Sequence, residues 1–295
     1  MLRITIVIPN YQSGPVLERA IRSILDEGYP NLQLIVADAC STDESAEIIE
    51  RYADCFDPAI RRRDDGQVDA LNYAFRQATG EIHGWLCADD ELLPGSLAEV
   101  AAMFEQDPSL DLVVGGCQHA YPDGSTTIFS VAKDHWRTLG VRNSFSQPSM
   151  FWKAALHRRV GELDASYQLA FDWDFWCRMR DAGARCGATR RVLSRYHFSG
   201  ANKSSVGGRL HVDEATRIMR RYGPFGGRIA LVYRFIYTQF DLRGCMDHPP
   251  TCSRLRRWAF QLTWEILGGI LGRGWMKLYN WHFASLQERG LDWWT

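Results

Sequence analysis

An α/β fold on a largely parallel sheet is what this chain predicts, and three observations carry the prediction. Short apolar, β-branched runs alternate with amphipathic helical segments through the first hundred residues. The runs are apolar throughout rather than alternating with polar residues, as strands covered on both faces must be. Each run also leads into a polar residue: Asn10, Asp38, Asp64 and Asp89. In such sheets those positions fall at the carboxyl ends of the strands, where ligands bind. Beyond about residue 205 strand signals disappear and the sequence becomes helical, aromatic and arginine-rich. The expected division is an α/β domain over 1–204 and a helical extension over 205–295.

The elements follow in order. Residues 4–8 form a β-branched run closed by Pro9 and Asn10. Val16, Leu17, Ala20, Ile21, Ile24 and Leu25 then share one helical face that ends at Gly28 and Pro30. Residues 32–37 make a second strand ending at Asp38. Ser41 and Glu44 have the spacing of a capping box for a helix through Tyr52. A third strand is expected over 59–63, a helix over 68–78, a fourth strand over 81–88 and a helix over 95–104. After Leu110 the pattern changes. A strand over 112–117, a turn at Tyr121-Pro122-Asp123-Gly124 and a returning segment over 125–131 predict a hairpin. Short strands at 150–152 and 192–198 flank a helix over 171–179, so this half of the sheet is expected to be mixed.

Composition bounds the function. With 295 residues and 46% hydrophobic content the chain can bury a full core. A net charge of −1 and a pI near 6.7 argue against nucleic acid as a partner. Eight cysteines show no C-x-x-C pair and no zinc spacing. With no signal-peptide pattern before the first strand, they are expected as free thiols in the cytoplasm. No stretch of 18 uninterrupted apolar residues predicts a regular membrane span.

The adjacent Asp89 and Asp90 follow the fourth apolar run directly. Two neighbouring carboxylates repel, and each raises the other's pKa unless a positive charge sits with them. A divalent metal is the usual such charge, and a phosphate chain its usual companion. The plainer alternative is a solvated turn before the helix near Pro94, with acids favouring its positive end.

Four segments in order are Ile6-Val7-Ile8-Pro9-Asn10-Tyr11, Val36-Ala37-Asp38-Ala39-Cys40-Ser41-Thr42-Asp43, Asp64-Asp65-Gly66-Gln67-Val68-Asp69-Ala70-Leu71-Asn72 and Trp85-Leu86-Cys87-Ala88-Asp89-Asp90. Together they resemble a family 2 glycosyltransferase over residues 4 to about 200. The resemblance implies a GT-A fold, a nucleotide-sugar donor, Mg²⁺ or Mn²⁺, and inversion at the sugar's anomeric carbon. It places Pro9 and Asn10 at the donor site. Asp38 would accept a hydrogen bond from a base N–H such as uracil N3–H; otherwise it caps the next helix. Gly66 would let backbone approach the nucleotide while Asp64 reaches base or ribose, the alternative being an ordinary turn.

The family's acidic motif is usually Asp-x-Asp, and Cys87 stands where its first Asp would be. Asp89 is therefore expected to carry the metal, with Asp90 bonding surrounding groups or sugar. Phe171-Asp172-Trp173-Asp174 resembles the family's catalytic segment at a helix start. A base must take a proton from the acceptor hydroxyl as it attacks. Asp172 aligns with that base, and Asp174 is its competitor. Gln147, in Ser146-Gln147-Pro148, is expected to contact sugar or to anchor a turn. His197 resembles the family's late histidine and is expected as a further metal ligand, with Lys203 on the diphosphate.

Residues 254–283 place tryptophans on an apolar stretch flanked by arginines and interrupted by Gln261 and Glu265. This suits a helix in a membrane interface; packing on the catalytic domain is the alternative. Interface binding would put the protein on the inner face of the cell membrane and suit a lipid-linked sugar acceptor. The expected activity is metal-dependent, inverting transfer from a nucleotide-diphosphate sugar, with uridine the default base, in cell-surface polysaccharide or glycolipid synthesis. Two alternatives stand beside it. A sugar nucleotidyltransferase would carry a basic residue in residues 9–14, which have none. A non-catalytic nucleotide-sugar-binding subunit would share the fold.

Overall fold

The computed structural model describes residues 1–131, 135–199, 202–203, 208–223, 227–240 and 254–271. Residues 272–283 of the expected interface segment, with Trp275 and Trp281, lie outside the described residues, as do Trp293 and Trp294. The chain divides into two units. The first comprises residues 1–136 and 145–198, and the second 137–144 and 199–295. The division follows Phe198, a little ahead of the boundary expected near 205. The sequence pattern gave no sign that 137–144 goes with the second unit.

The first unit is built on a nine-stranded sheet among the described residues. Its strands are β1 (Ile4–Asn10), β2 (Leu32–Asp38), β3 (Ala59–Arg61), β4 (Ile82–Trp85), β5 (Glu91–Leu92), β6 (Leu112–Ala120), β7 (Thr126–Phe129), β8 (Met150–Lys153) and β9 (Cys186–His197). The order is β3-β2-β1-β4-β8-β6-β9-β5, with β7 paired to β6. The first four strands are mutually parallel. Beyond them β8 is antiparallel to both β4 and β6, β9 runs parallel to β6, and β5 pairs antiparallel to β9. This is the parallel nucleotide-type half and the mixed half that the sequence predicts.

Burial explains the apolar runs. Every residue of β1 is buried. Helix α1 (Gly14–Leu25) covers the sheet with Leu17, Ala20, Ile21 and Ile24, all fully buried. Its N-terminus is held from another element: the Gly14 N–H donates to Asp43 Oδ2 at 2.8 Å. Helices α2 (Ser45–Arg51), α3 (Gln67–Phe75) and α4 (Ser96–Gln106) complete the crossovers. Helix α5 (His135–Thr138) is a single turn, and α6 (Ala154–Val160) and α7 (Phe171–Asp181) follow.

Two expectations need correction, and one strand was not expected. The capping box at α2 does not form: Glu44 makes no capping bond, the Ser45 N–H donates to Asp43 Oδ1 at 3.1 Å, and the Ser41 hydroxyl donates to Asp38. The fourth strand stops at Trp85, so residues 86–90 form a turn rather than the end of a strand. A two-residue strand, β5, follows that turn and had no periodicity by which to be recognised.

An aromatic core lies between β4, β8 and α7. Trp85 stacks on Trp176 at 5.4 Å between ring centroids, and Trp152 meets both edge-on. His83 and His157 are buried in the same core, their Nδ1 atoms 3.3 Å apart, so one donates and the other accepts. His83 stacks on Phe75 and His157 meets Phe175 edge-on.

The second unit contains helices Gly208–Tyr222, Arg228–Phe240 and Arg254–Leu271. Val212, Ala215, Ile218 and Met219 are buried along the first, and Arg234 of the second bonds Asp213 at 2.8 Å. Along the third, Leu255, Trp258, Leu262, Ile266 and Ile270 recur at helical spacing and are all exposed. No described helix is long and apolar enough to cross a membrane.

The histidine pair sets an acid limit on stability. Burial is the main cause that pushes His83 down to about 3 and His157 down to about 4, from an ordinary 6.5. The unfolded chain therefore takes up protons below pH 6.5 that the folded one refuses. The stabilisation is complete above that pH and is lost as pH falls. Each histidine should cost on the order of 2 kcal/mol between pH 6.5 and 5. Urea unfolding at pH 7 and pH 5 should show this loss, with about half the slope in His157→Gln; equal stability at the two pH values would contradict it.

Candidate active site

The parallel register sets the first part of the site. Asn10 of β1 pairs with Asp38 of β2, and Asp38 with Arg61 of β3, all at the carboxyl edge. Asn10 Nδ2 donates to Asp38 Oδ1 at 2.7 Å, and the Ser41 hydroxyl donates to the same oxygen at 2.6 Å. The Ser41 N–H donates to Asp38 Oδ2 at 3.0 Å. Asn10, Asp38 and Ser41 are all buried. Asp38 Oδ1 is thus filled by protein donors, while Oδ2 takes one close donor and the Arg61 guanidinium at 3.7 Å. Asn10 Oδ1 is buried with no hydrogen-bond partner. Pro9 is buried within β1.

Asp64 and Gly66 lead into α3. The Gly66 N–H donates to Asp64 Oδ1 at 2.9 Å, and Asp64 is pushed up chiefly by burial. Gly66 has φ of +114°, a conformation that a side chain opposes, and a Cβ there would meet no protein atom within 4 Å. The next residue turns toward the acidic pair: Gln67 Nε2 donates to Cys87 Sγ at 3.4 Å.

Asp89 and Asp90 sit in a tight turn between β4 and β5. The Asp90 N–H donates to the Cys87 carbonyl at 3.0 Å, closing the turn. Arg19 of α1 grips it from one side, with Nη2 donating to the Asp89 carbonyl at 3.0 Å. Strand β9 grips it from the other, where the His197 N–H donates to Asp90 Oδ1 at 3.4 Å. Asp90 is 1% exposed, and its Oδ2 has no hydrogen-bond partner. Burial, then the charge of Asp89, pushes its carboxyl well above the ordinary carboxylate range.

His197 is placed differently from expectation. Its Nε2 lies 2.5 Å from Glu91 Oε1, which also receives Arg19 at 3.3 Å and Arg195 at 3.6 Å. The antiparallel pairing of β5 with β9 causes this, since Glu91 is in register with Arg195. Gln147 is bound at both ends of its amide. Nε2 donates to the Trp85 carbonyl at 2.7 Å, and Oε1 accepts from Cys87 Sγ at 3.6 Å.

Helix α7 carries the two candidate bases. Asp174 is fully buried and paired with Arg178 at 2.7 Å, and Arg178 also donates to the Val160 carbonyl. Asp172 is half-buried, with Oδ1 accepting from the Trp173 N–H at 2.6 Å. The start of α7 is tied to the end of β4, because Phe171 packs on Trp85 at 6.2 Å between centroids. Lys203 is exposed and belongs to the second unit.

Whether a metal fits can be tested on the donor atoms. Among the described residues, Cys87, Asp89 and Asp90 form a group whose ligand atoms lie within 4.8 Å of one another. His197 is not part of it. A fully buried carboxylate with one oxygen lacking a partner is a costly arrangement. A divalent cation would supply the missing charge, and carboxylates suit Mg²⁺ or Mn²⁺. The residues fit such an ion.

A Rossmann-like parallel half, a mixed second half and an acidic turn at the carboxyl edge define a glycosyltransferase of the GT-A fold. The chain belongs to glycosyl transferase family 2, whose sequence model matches residues 5–156. A PGL/p-HBAD biosynthesis glycosyltransferase of Mycobacterium bovis (strain BCG / Pasteur 1173P2) is 29% identical over 209 residues, covering 69% of this chain and 77% of the relative. The mannosyltransferase PcManGT of Pyrobaculum calidifontis, solved with GDP-Man and Mn²⁺, superposes with a TM-score of 0.58 at 19% identity, covering 97% of this chain and 86% of that one. S. aureus TarS 1-349 with UDP-GlcNAc gives 0.57 at 15% identity, covering 83% and 82%. This chain spans 48% of a longer TarS structure. At these identities the solved structures establish the fold.

Proposed function

We propose that the protein transfers a sugar, with inversion and with a divalent cation, from a nucleotide-diphosphate sugar to an acceptor hydroxyl. The observation that carries this is the pairing of two unlike carboxylates around Trp85. Asp90 is buried with an unpartnered oxygen in the turn after β4, while Asp172 is half-buried on the helix packed against β4. Asp89 and Asp90 would hold the ion, which supplies positive charge for the diphosphate. Asn10, Asp38, Asp64 and Gly66 line the edge proposed for the nucleoside. Uracil is the base we favour, its N3–H donating to Asp38 Oδ2.

Asp172 acts as the base. It takes the proton from the acceptor hydroxyl as that oxygen attacks the anomeric carbon opposite the diphosphate. The bond to the nucleoside diphosphate breaks as the new glycosidic bond forms, so the configuration inverts. Asp174 cannot share this role while Arg178 and burial hold it. Gln147, tied to the Trp85 carbonyl and to Cys87, keeps the acidic turn and the loop before β8 in register. A similar-sequence relative named for PGL/p-HBAD biosynthesis supports an acceptor in glycolipid or cell-surface polysaccharide synthesis. A nucleotidyltransferase is disfavoured by the family match, and a non-catalytic subunit by an Asp172 that is only half-buried.

The exposed stripe from Leu255 to Ile270 favours an acceptor presented at a membrane surface. Arg254, exposed at the start of that helix, would meet anionic headgroups. The site on the cytoplasmic face would then reach a lipid-linked sugar.

Two outcomes are expected. Asp172→Asn should lower transfer by about 10²–10⁴-fold and leave donor affinity nearly unchanged by calorimetry; wild-type turnover in this variant would remove Asp172 as base. The full chain should float with anionic liposomes, and Leu262→Glu/Ile266→Glu should not. Equal flotation of the two proteins would dismiss the membrane role of this helix.

A further inference from the structure

The acidic turn contains a residue that carboxylate chemistry does not account for. Cys87 opens the turn, and its Sγ belongs to the same compact group of ligand atoms as Asp89 and Asp90. We propose that Cys87 is a ligand, so that the cation of this site is held by one thiolate and two carboxylates. The proposal rests on the donor-site function above and specifies the metal chemistry of that site.

The neighbours of Cys87 suit the role. The Gln67 amide donates to Sγ at 3.4 Å and can stay in place when the sulfur becomes a thiolate. The thiol proton now lies toward Gln147 Oε1 at 3.6 Å, a long and weak contact. On binding, that proton leaves to solvent and a sulfur–metal bond takes its place, so one proton is released per ion bound through Cys87. The second observation is independent of the cysteine: Asp90, a member of the same group, is buried and its Oδ2 has no hydrogen-bond partner. Other cysteines of the unit are set differently. Burial pushes Cys117 up to about 11 and Cys186 up to about 12, and neither belongs to this group.

A thiolate changes which ions the site prefers. Sulfur ligands favour softer and later metals, so Co²⁺, Zn²⁺ and Cd²⁺ gain relative to Mg²⁺, with Mn²⁺ between. A site made only of oxygen ligands also binds Co²⁺ and Zn²⁺ more tightly than Mn²⁺, but a thiolate enlarges the gain, most of all for the soft ion Cd²⁺.

Titration of the purified full chain with Co²⁺, in the presence of UDP, tests the idea. The wild type should develop a near-ultraviolet thiolate-to-cobalt charge-transfer band that saturates at one equivalent. The band should be absent in Cys87→Ser and in Cys87→Asp. Mn²⁺ binding, followed by electron paramagnetic resonance, should weaken roughly tenfold in Cys87→Ser and recover in Cys87→Asp. In the wild type, which needs no variant to fold, Cd²⁺ should slow iodoacetamide labelling of Cys87 by mass spectrometry. Ion binding with no band, a band that persists in both variants, or unprotected labelling would overturn the thiolate ligand while leaving the donor site standing. Failure of the wild type to bind Co²⁺ or Mn²⁺ even with UDP would overturn both.

Discussion

The buried carboxyl of Asp90 is the constraint around which the first unit is arranged. Removing a carboxylate from water costs several kcal/mol unless a charge or donors compensate it. Here the one backbone donor is long, at 3.4 Å, and the second oxygen has none. The turn is nonetheless held from three directions. The sheet supplies β4, α1 supplies Arg19, and β9 supplies the His197 N–H. Such a turn keeps its carboxylates together when repulsion would separate them. Trp85 extends the arrangement: its carbonyl receives Gln147, and its ring carries Phe171 and Trp176 of α7. One residue thereby links the acidic turn to the helix that bears Asp172.

The polar groups of the site fall into two kinds. Some are satisfied by the protein and set geometry. Asp38 Oδ1 is filled by Asn10 and Ser41, Asp174 is neutralised by Arg178, and Glu91 gathers Arg19, Arg195 and His197. Among the oxygens of the carboxyl edge, Asn10 Oδ1 and Asp90 Oδ2 are left open in buried positions. Open buried polar atoms are expensive, and a site that binds a charged, hydrogen-bonding ligand is one place where they are retained. This contrast, rather than the number of acids at the edge, separates groups that hold the scaffold from groups proposed to meet the donor.

Much of this was legible in the sequence because it depends on local pattern. The apolar runs predict β1, β2 and β4, and the parallel register then brings Asn10, Asp38 and the acidic pair to one edge. Periodicity likewise gives α1 and α7. What could not be read is which of several possible partners a polar side chain takes, whether near or far in the chain. Glu91 meets His197 only because a two-residue strand joins β9, more than a hundred positions away. Ser41 has the right spacing to cap α2, yet its hydroxyl donates to buried Asp38 three residues earlier. Asp172 and Asp174 are equivalent as residue types, and only full burial and the reach of Arg178 set Asp174 apart. The full burial of Asp90 follows from β9 covering the turn, which no single-segment pattern contains.

The turn after β4 is proposed to bind a cation together with a nucleotide. Thermal unfolding of the full chain with UDP or GDP, each with EDTA or Mn²⁺, tests it most directly. At about 100 times its Kd a ligand adds roughly 2.7 kcal/mol, or a few degrees in Tm. One nucleotide with Mn²⁺ should give that rise, the same nucleotide with EDTA should not, and Asp90→Asn should abolish it. An equal rise in EDTA, or no rise with either nucleotide and Mn²⁺, would contradict a metal-dependent donor site.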